Sequence, residues 1–278
     1  MKVFISVDME GISGVATGQQ MQDPEYGRFR KLMTQDTNAA IAGAFEAGAT
    51  EVLVGDSHGN MSNILIEELD PRARLISGSN KLLCQMEGID ETFDAAYFVG
   101  YHGREGGSER AVINHTISGL CVTEIRINGR PVGEAEINAG IAGYYGVPCV
   151  LITGDDVLAE EVKETLPDIE AAIVKRGIDR FTAELLSPQH AQEIIKEKAK
   201  LGLQKAKSIK PYQVAGKVTF EIEFKLTNQA QMCTLFPTVE LISPKTIRIE
   251  TDDYVVGYKQ LWGCLILGMK ATRSVLGG

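Results

Sequence analysis

From its first residues to about residue 180, the chain alternates short apolar runs with helix-patterned segments, and several runs pass straight into polar residues capable of chemistry. That alternation predicts an α/β fold, a mostly parallel sheet flanked by helices. Val3 to Val7, Glu51 to Val54, Arg74 to Ile76, Ala95 to Val99, Thr123 to Ile127, Cys149 to Thr153 and Ala171 to Val174 read as its strands. Between the first two, Tyr26 to Ala47 spaces Phe29, Leu32, Met33, Ile41, Ala44 and Phe45 as a helix does, and Gly48 reads as its stop signal. In such sheets ligands gather at the carboxyl ends of the strands, so the residues just past each run carry the functional information.

Past residue 185 the pattern changes. Ser187-Pro188 reads as an N-cap followed by proline at the first helical position, opening a helix through about Lys207. Lys217 to Phe224 alternates with strand period, Thr238 to Ile242 and Thr246 to Glu250 form two short strands, and Asp252 to Thr272 reads as a closing helix. The expectation is a metal-binding catalytic α/β domain over 1–184 and a smaller C-terminal α+β unit over 185–278 that serves assembly or gating. A hydrophobic fraction of 44% over 278 residues fills a substantial core. The net charge of -9, with no basic stripe, argues against a nucleic-acid partner. Five cysteines without CxxC spacing indicate neither a disulfide framework nor a thiolate zinc site, which fits a reducing cytoplasm. Lys2 to Val7 reads as a strand rather than a signal peptide, and the longest apolar stretch, Leu261 to Met269, is too short to span a membrane.

Asp8 and Glu10 stand two apart at the end of the first strand, so a persisting strand geometry projects both side chains to one side. His58 follows the second strand in Asp56-Ser57-His58, and His102 follows Ala95 to Val99 in Tyr101-His102. Taken singly, an Asp-x-Glu pair suits a solvated turn, a histidine a hydrogen-bonded loop, and Asp56 a turn or cap. Together they favour a divalent ion, because carboxylate oxygen and imidazole nitrogen are the donors of open catalytic zinc sites. Glu134 begins a helical stretch running to about Tyr145, where the helix dipole alone explains a glutamate, and Asn138 lies one turn on, placed to orient Glu134 or a substrate. His115 has no metal-type carboxylate beside it in sequence and reads either as a proton-transfer group or as a hydrogen-bonded, half-buried histidine. His190 reads as surface or capping. No GxxxxGK[ST], GxSxG or HExxH motif is present, and the set points to a metallohydrolase.

Ser6-Val7-Asp8-Met9-Glu10-Gly11, Asp56-Ser57-His58, Gly100-Tyr101-His102, Asn114-His115 and Arg130-Pro131-Val132-Gly133-Glu134 resemble, in this order, the binuclear-zinc D-aminopeptidase family, over essentially the whole chain. The resemblance implies two zinc ions per subunit, with Asp8 bridging, Glu10 and His102 on one ion, and His58 and Glu134 on the other. It implies His115 as the catalytic histidine, acting as nucleophile or as general base and acid. It also implies a ring-like, self-compartmentalising homo-oligomer, a decamer, that releases N-terminal D-residues from short peptides such as D-Ala-D-Ala in the cytoplasm.

Other readings keep the same residues. A related metallopeptidase acting on other peptidoglycan-derived or L-amino-acid peptides shares the motifs, and the charged, glycine-rich loop Arg104 to Arg110 is a place where specificity can diverge. A dinuclear phosphoesterase also uses paired metals, but basic residues are scarce near the proposed ligands. A purely structural zinc normally recruits cysteine, and this set contains none.

Overall fold

Val3, Ile5 and Val7 point from β1 (Lys2–Val7) into one core while Phe4 faces another, because successive strand side chains alternate between the two faces of a sheet. The computed structural model describes residues 1–275, and side chains to residue 272. Around β1 a seven-stranded sheet forms in the order β3-β2-β1-β4-β7-β8-β9. Its strands are β2 (Glu51–Asp56), β3 (Ala73–Ile76), β4 (Ala95–Val99), β7 (Cys149–Asp155), β8 (Glu170–Asp179) and β9 (Thr182–Leu185). All pairings are parallel except that of β9 with β8. The chain steps outward from β1 to β3, then returns to the other side of β1 as β4. That reversal opens a crevice past the carboxyl ends of β1 and β4, the place where open α/β sheets bind ligands.

The Val3–Ile5–Val7 face is covered by α1 (Tyr26–Glu46) and α4 (Pro188–Lys205), which pack on each other where Gly43 of α1 lies against Ala199 and the Lys196 carbonyl of α4, and which bury Ala40, Ile41, Ala44, Ala191 and Ile195 in the same core. Ser187 Oγ accepts from His190 N–H and Pro188 occupies the first helical position, so the expected cap is present. On the opposite face Phe4, Ala96 and Phe98 share one core with Ile137 and Ile141 of α2 (Glu134–Tyr144), which packs against β7. Between β7 and β8 lies the short α3 (Asp156–Glu161).

A second, five-stranded antiparallel sheet has the order β11-β12-β10-β5-β6. It comprises β5 (Val122–Ile127), β6 (Arg130–Pro131), β10 (Val218–Phe224), β11 (Val239–Ser243) and β12 (Thr246–Thr251), with α5 (Thr227–Cys233) and α6 (Tyr254–Val275) packed together and against it. The expected strand Thr123 to Ile127 therefore exists, but not in the parallel sheet. β10 turns Val218, Phe220, Ile222 and Phe224 inward, and Ile125 and Ile127 of β5 pair opposite Ile222 and Phe220 on that apolar face. Sheet membership consequently does not follow the 1–184 and 185–278 division: β5 and β6 belong to the second sheet, and α4 covers the first. Among the described residues no helix is long and apolar enough to cross a membrane.

Candidate metal centre

Asp8 continues β1 past its last residue, its N–H donating to Val99 O at 2.8 Å. The chain then turns so tightly that Gly11 N–H donates to Gly100 O at 2.8 Å, and a Cβ on Gly11 would meet Tyr101 O at 1.8 Å. On the other side, Gly100 has φ +73° and would bring a Cβ to 2.2 Å from Asp8 O. Two glycines thus let the loops after β1 and β4 cross at van der Waals distance, which brings Asp8 and Glu10 beside His102. His58 arrives from the end of β2 and Glu134 from the first residue of α2, where the helix dipole also favours it. His115 comes from the β4–β5 connection.

The six residues converge. His58 Nδ1 lies 3.2 Å from Asp8 Oδ1 and 2.9 Å from Glu10 Oε2. His102 Nε2 lies 3.5 Å from Asp8 Oδ2 and 3.4 Å from Glu134 Oε1, and His115 Nε2 lies 3.8 Å from Glu10 Oε1 and 3.9 Å from Glu134 Oε1. Three groups place their ligand atoms within 4.8 Å of one another: Asp8–Glu10–His58, Asp8–His102–Glu134 and Glu10–His102–His115. Asp8, Glu10 and His102 each belong to two of them.

Whether these residues suit a metal is tested by the histidines' outward bonds. His102 Nδ1–H donates to Gly103 O at 3.0 Å, which leaves Nε2 as the lone-pair nitrogen. That nitrogen is buried and has no hydrogen-bond partner, although two carboxylates lie close by. A buried polar atom without a partner is costly, and a nitrogen facing two carboxylates has an evident partner in a cation, a proton in the metal-free cluster and a divalent ion in its place when one is bound. His115 repeats the device, donating Nδ1–H to Ile113 O at 2.9 Å and turning Nε2 inward. Its ring stacks on that of His102 with centroids 4.3 Å apart. The nitrogen and oxygen donors, without thiolate, fit a hard-to-borderline divalent ion in an open site.

The electrostatics are those of a dense buried cluster. Burial raises the Asp8 carboxyl above its ordinary range, and Glu10 beside it adds to the effect. Burial pushes Glu10 and Glu134 upward too, but the imidazoles outweigh it. His58 with His115 and His102 hold Glu10 well below the usual range, while His102 leads in drawing Glu134 down to about 2. Against the downward pull of burial, Glu10 and Asp8 hold His58 well above its ordinary value, and Glu134 and Asp8 do so for His102.

Backbone strain concentrates here. Met61, Cys84, Ile113 and Ile117 all have positive φ without being glycine. Met61, Cys84 and Ile117 line the cavity, Ile113 holds His115, and Ile117 N–H donates to Glu134 Oε1 at 2.6 Å. The cavity, of about 230 Å³, is lined by Asp8, Glu10, His58, His115 and Glu134 on one side and by Gln85, Trp262 and Met269 among others elsewhere. Gln85, Trp262 and Met269 were not singled out from sequence, since an isolated glutamine or a core-patterned aromatic carries no chemical signal. Asp56 stays outside the centre. Its carboxylate accepts from Asn63 N–H, Ile64 N–H and Asn63 Nδ2, fastening the loop after His58, which is the turn reading of that residue. The loop Arg104 to Arg110 does not line the cavity; its backbone is tied to Glu161 Oε2 through Arg104 N–H at 3.0 Å. His190 is exposed on α4, as expected.

A family model of peptidase family M55, described as D-aminopeptidase, matches residues 1–262. The chain belongs to the M55 D-aminopeptidase family. It is similar to a D-aminopeptidase of Bacillus subtilis (strain 168), with 38% identity over 275 residues covering 98% of this chain and 99% of that one. It also resembles a solved Bacillus subtilis structure described as a Zn-dependent D-aminopeptidase, DppA, and a self-compartmentalizing protease. That match has a TM-score of 0.92 and 39% identity, over 97% of this chain and 98% of the other. The M55 chain is accordingly a peptidase, and the mostly parallel α/β architecture expected of it is shared with the solved relative. A phosphoesterase reading finds no support: among the described residues no lysine or arginine lines the cavity to meet a phosphate.

Proposed function

We propose that this M55 peptidase is a zinc-dependent aminopeptidase that hydrolyses short peptides with N-terminal D-amino acids, of the D-Ala-D-Ala type. In this reading Asp8, Glu10, His58, His102 and Glu134 hold two zinc ions, with Asp8 shared between them. By the family resemblance Glu10 and His102 would serve one ion and His58 and Glu134 the other, whereas the geometric groups set His58 with Asp8 and Glu10, and Glu134 with Asp8 and His102. The observation that carries it is His102 Nε2, buried without a hydrogen-bond partner while Asp8 and Glu134 stand 3.5 and 3.4 Å away. When bound, zinc supplies electrophilic polarisation at the scissile carbonyl and makes a nucleophile available near neutral pH.

The chain's own residues supply the rest. His115, with its Nδ1 proton committed to Ile113 O, offers Nε2 to the cavity for attack or for carrying a proton to the leaving amine. The description of the relative as self-compartmentalizing supports a ring-like homo-oligomer, a decamer by family resemblance, with the second sheet and α6 serving assembly or gating. Five buried free cysteines support a reducing, cytoplasmic setting.

Zinc-loaded protein and a chelated control, each offered matched D,D-, D,L-, L,D- and L,L-dipeptides, provide the test. Chelator-sensitive cleavage confined to peptides with a D N-terminal residue is expected. Cleavage of the L-N-terminal set alone would retain the chemistry and overturn the stereospecificity.

A further inference from the structure

Behind the metal centre lies a closed ring of buried hydrogen bonds that no ligand assignment uses. Gln85 Nε2 donates to Glu134 Oε2 at 2.5 Å, and Asn138 Nδ2 donates to Gln85 Oε1 at 2.6 Å and to the Tyr101 hydroxyl at 2.9 Å. The Tyr101 and Ser6 hydroxyls are 2.7 Å apart, and Ser6 Oγ donates to the main-chain oxygen of Gln85 at 2.9 Å. Ser57 Oγ joins at 2.7 Å from Ser6 Oγ. Every member is buried.

The directions of these bonds follow from one end. A ligating carboxylate is ionised and can only accept, so Gln85 must turn its NH2 group toward Glu134. Its oxygen is then left for Asn138, whose two amide protons are spent on Gln85 and Tyr101. Tyr101, having accepted, gives its proton to Ser6, and Ser6 gives its own to the carbonyl of Gln85. The ring closes on the residue from which it started, so the side chain and the backbone of Gln85 are both held.

The members' places in sequence are equally ordered. Ser6 lies two residues before Asp8, Ser57 directly before His58, Tyr101 directly before His102, and Asn138 one helical turn after Glu134. Gln85 is the member with no ligand beside it in sequence, and it is the one that touches a ligand through its side chain. Its neighbour Cys84 adopts φ +48° to present it.

We propose that Gln85 is a positioning residue for Glu134, its amide fixed by Asn138 so that the Glu134 carboxylate is oriented for zinc. The inference rests on the assignment of Glu134 as a ligand. Outer-shell hydrogen bonds of this kind are worth roughly ten- to a hundredfold in metal affinity.

The test measures the affinity of each zinc equivalent by competition with a chromophoric chelator in wild type, Gln85→Leu, Asn138→Asp and the double variant Gln85→Leu/Asn138→Leu. The unfolding midpoint of each EDTA-treated protein is recorded alongside. In Gln85→Leu one zinc is expected to weaken about ten- to a hundredfold and the other by less than about threefold, with the metal-free midpoint little changed. Asn138→Asp, whose carboxylate captures the Gln85 amide protons, is expected to weaken the same zinc. The double variant should bind no more weakly than Gln85→Leu. Unchanged affinity, or equal weakening of both ions with a lowered metal-free midpoint, would overturn the proposal. If Gln85→Leu yields no folded protein, Asn138→Asp decides by the same criteria. A wild type that binds no zinc would overturn the metal reading and the role of Gln85 with it, whereas a wild type that binds two zinc ions with unchanged affinity in Gln85→Leu would overturn the role of Gln85 alone.

Discussion

Two hydrogen bonds to main-chain oxygens, His102 to Gly103 and His115 to Ile113, decide which imidazole nitrogens face the cavity. They give two histidines with stacked rings different prospects. His102 Nε2 is enclosed between Asp8 and Glu134 with its side chain 1% exposed, whereas His115 is half-buried and lines the cavity. His115→Ala is therefore expected to lower kcat by about a hundred- to ten-thousandfold while zinc stoichiometry stays at the wild-type value. Loss of zinc along with activity, measured on the purified variant, would reassign His115 to the ligand set. Asp8→Ala should remove zinc and activity together, because Asp8 takes part in two of the three ligand groups. The same cluster predicts a pH dependence. His58 and His102 hold protons to a pH well above their ordinary value of 6.5, and each must lose its proton to bind zinc. Proton competition eases as pH rises, so zinc affinity from chelator competition is expected to be at least about tenfold stronger at pH 8 than at pH 6. A flat profile would mean that these imidazoles are already neutral when zinc arrives.

At the scale of elements, the loop carrying Glu10 is braced from beneath. Lys175 of β8 is buried and donates from Nζ to Glu10 O at 2.7 Å and Val15 O at 2.6 Å, while Asp36 of α1 accepts from Ser13 N–H at 2.7 Å and Ser13 Oγ at 2.8 Å. Burial raises the Asp36 carboxyl from 3.8 to about 6, against the pull of Ser13 and Lys175. Between those values the folded chain keeps a proton that the unfolded chain has released, so this residue's contribution to stability falls as pH rises from about 4 to 6 and is level above. Asn cannot ionise. Asp36→Asn should thus gain on the wild type by on the order of 3 kcal/mol between pH 4 and pH 7, read from denaturant unfolding at both values. A constant difference would show that Asp36 ionises freely in the fold. None of this bracing was legible in sequence, because a lysine in a strand and an aspartate in a helix read as exposed residues until their neighbours are known. The meeting of Asp8, Glu10, His58 and His102 was legible for the opposite reason: a parallel sheet sends every strand's carboxyl end to one edge, so sequence position alone predicts their convergence. β5 joins the second sheet rather than the parallel one, and its sequence does not show this because a short alternating run records its own two faces but not its partner. α4 packs on the first sheet although it follows residue 185, and its sequence is equally silent because its apolar stripe fits either sheet.

Across the whole molecule, the loops after β1, β2 and β4 of the first sheet and the start of α2 supply the proposed ligands, while α6, packed on the second sheet, supplies Trp262 and Met269 to the cavity wall. Trp262 is pinned by its Nε1–H to Lys81 O at 3.1 Å. Lys81 in turn donates from Nζ to Asp56 O at 2.5 Å, at the end of β2. The wall is thereby fixed to the strand that carries His58. A cavity of about 230 Å³ falls below the roughly 300–1,000 Å³ of sites for drug-sized ligands, which fits a dipeptide with small side chains. Trp262→Ala removes the largest rigid part of that wall without touching a proposed ligand. Its ratio of kcat/KM for D-Leu-D-Ala over D-Ala-D-Ala should rise at least about tenfold, the order expected when space for added methylene groups decides selection. Zinc content should stay as in the wild type. An unchanged ratio with zinc retained would mean that side-chain choice is made by the rest of the cavity wall rather than by Trp262. A raised ratio would make the packing of α6 and the antiparallel sheet against the first sheet part of the specificity of the site, so that the second sheet shapes which peptide is accepted.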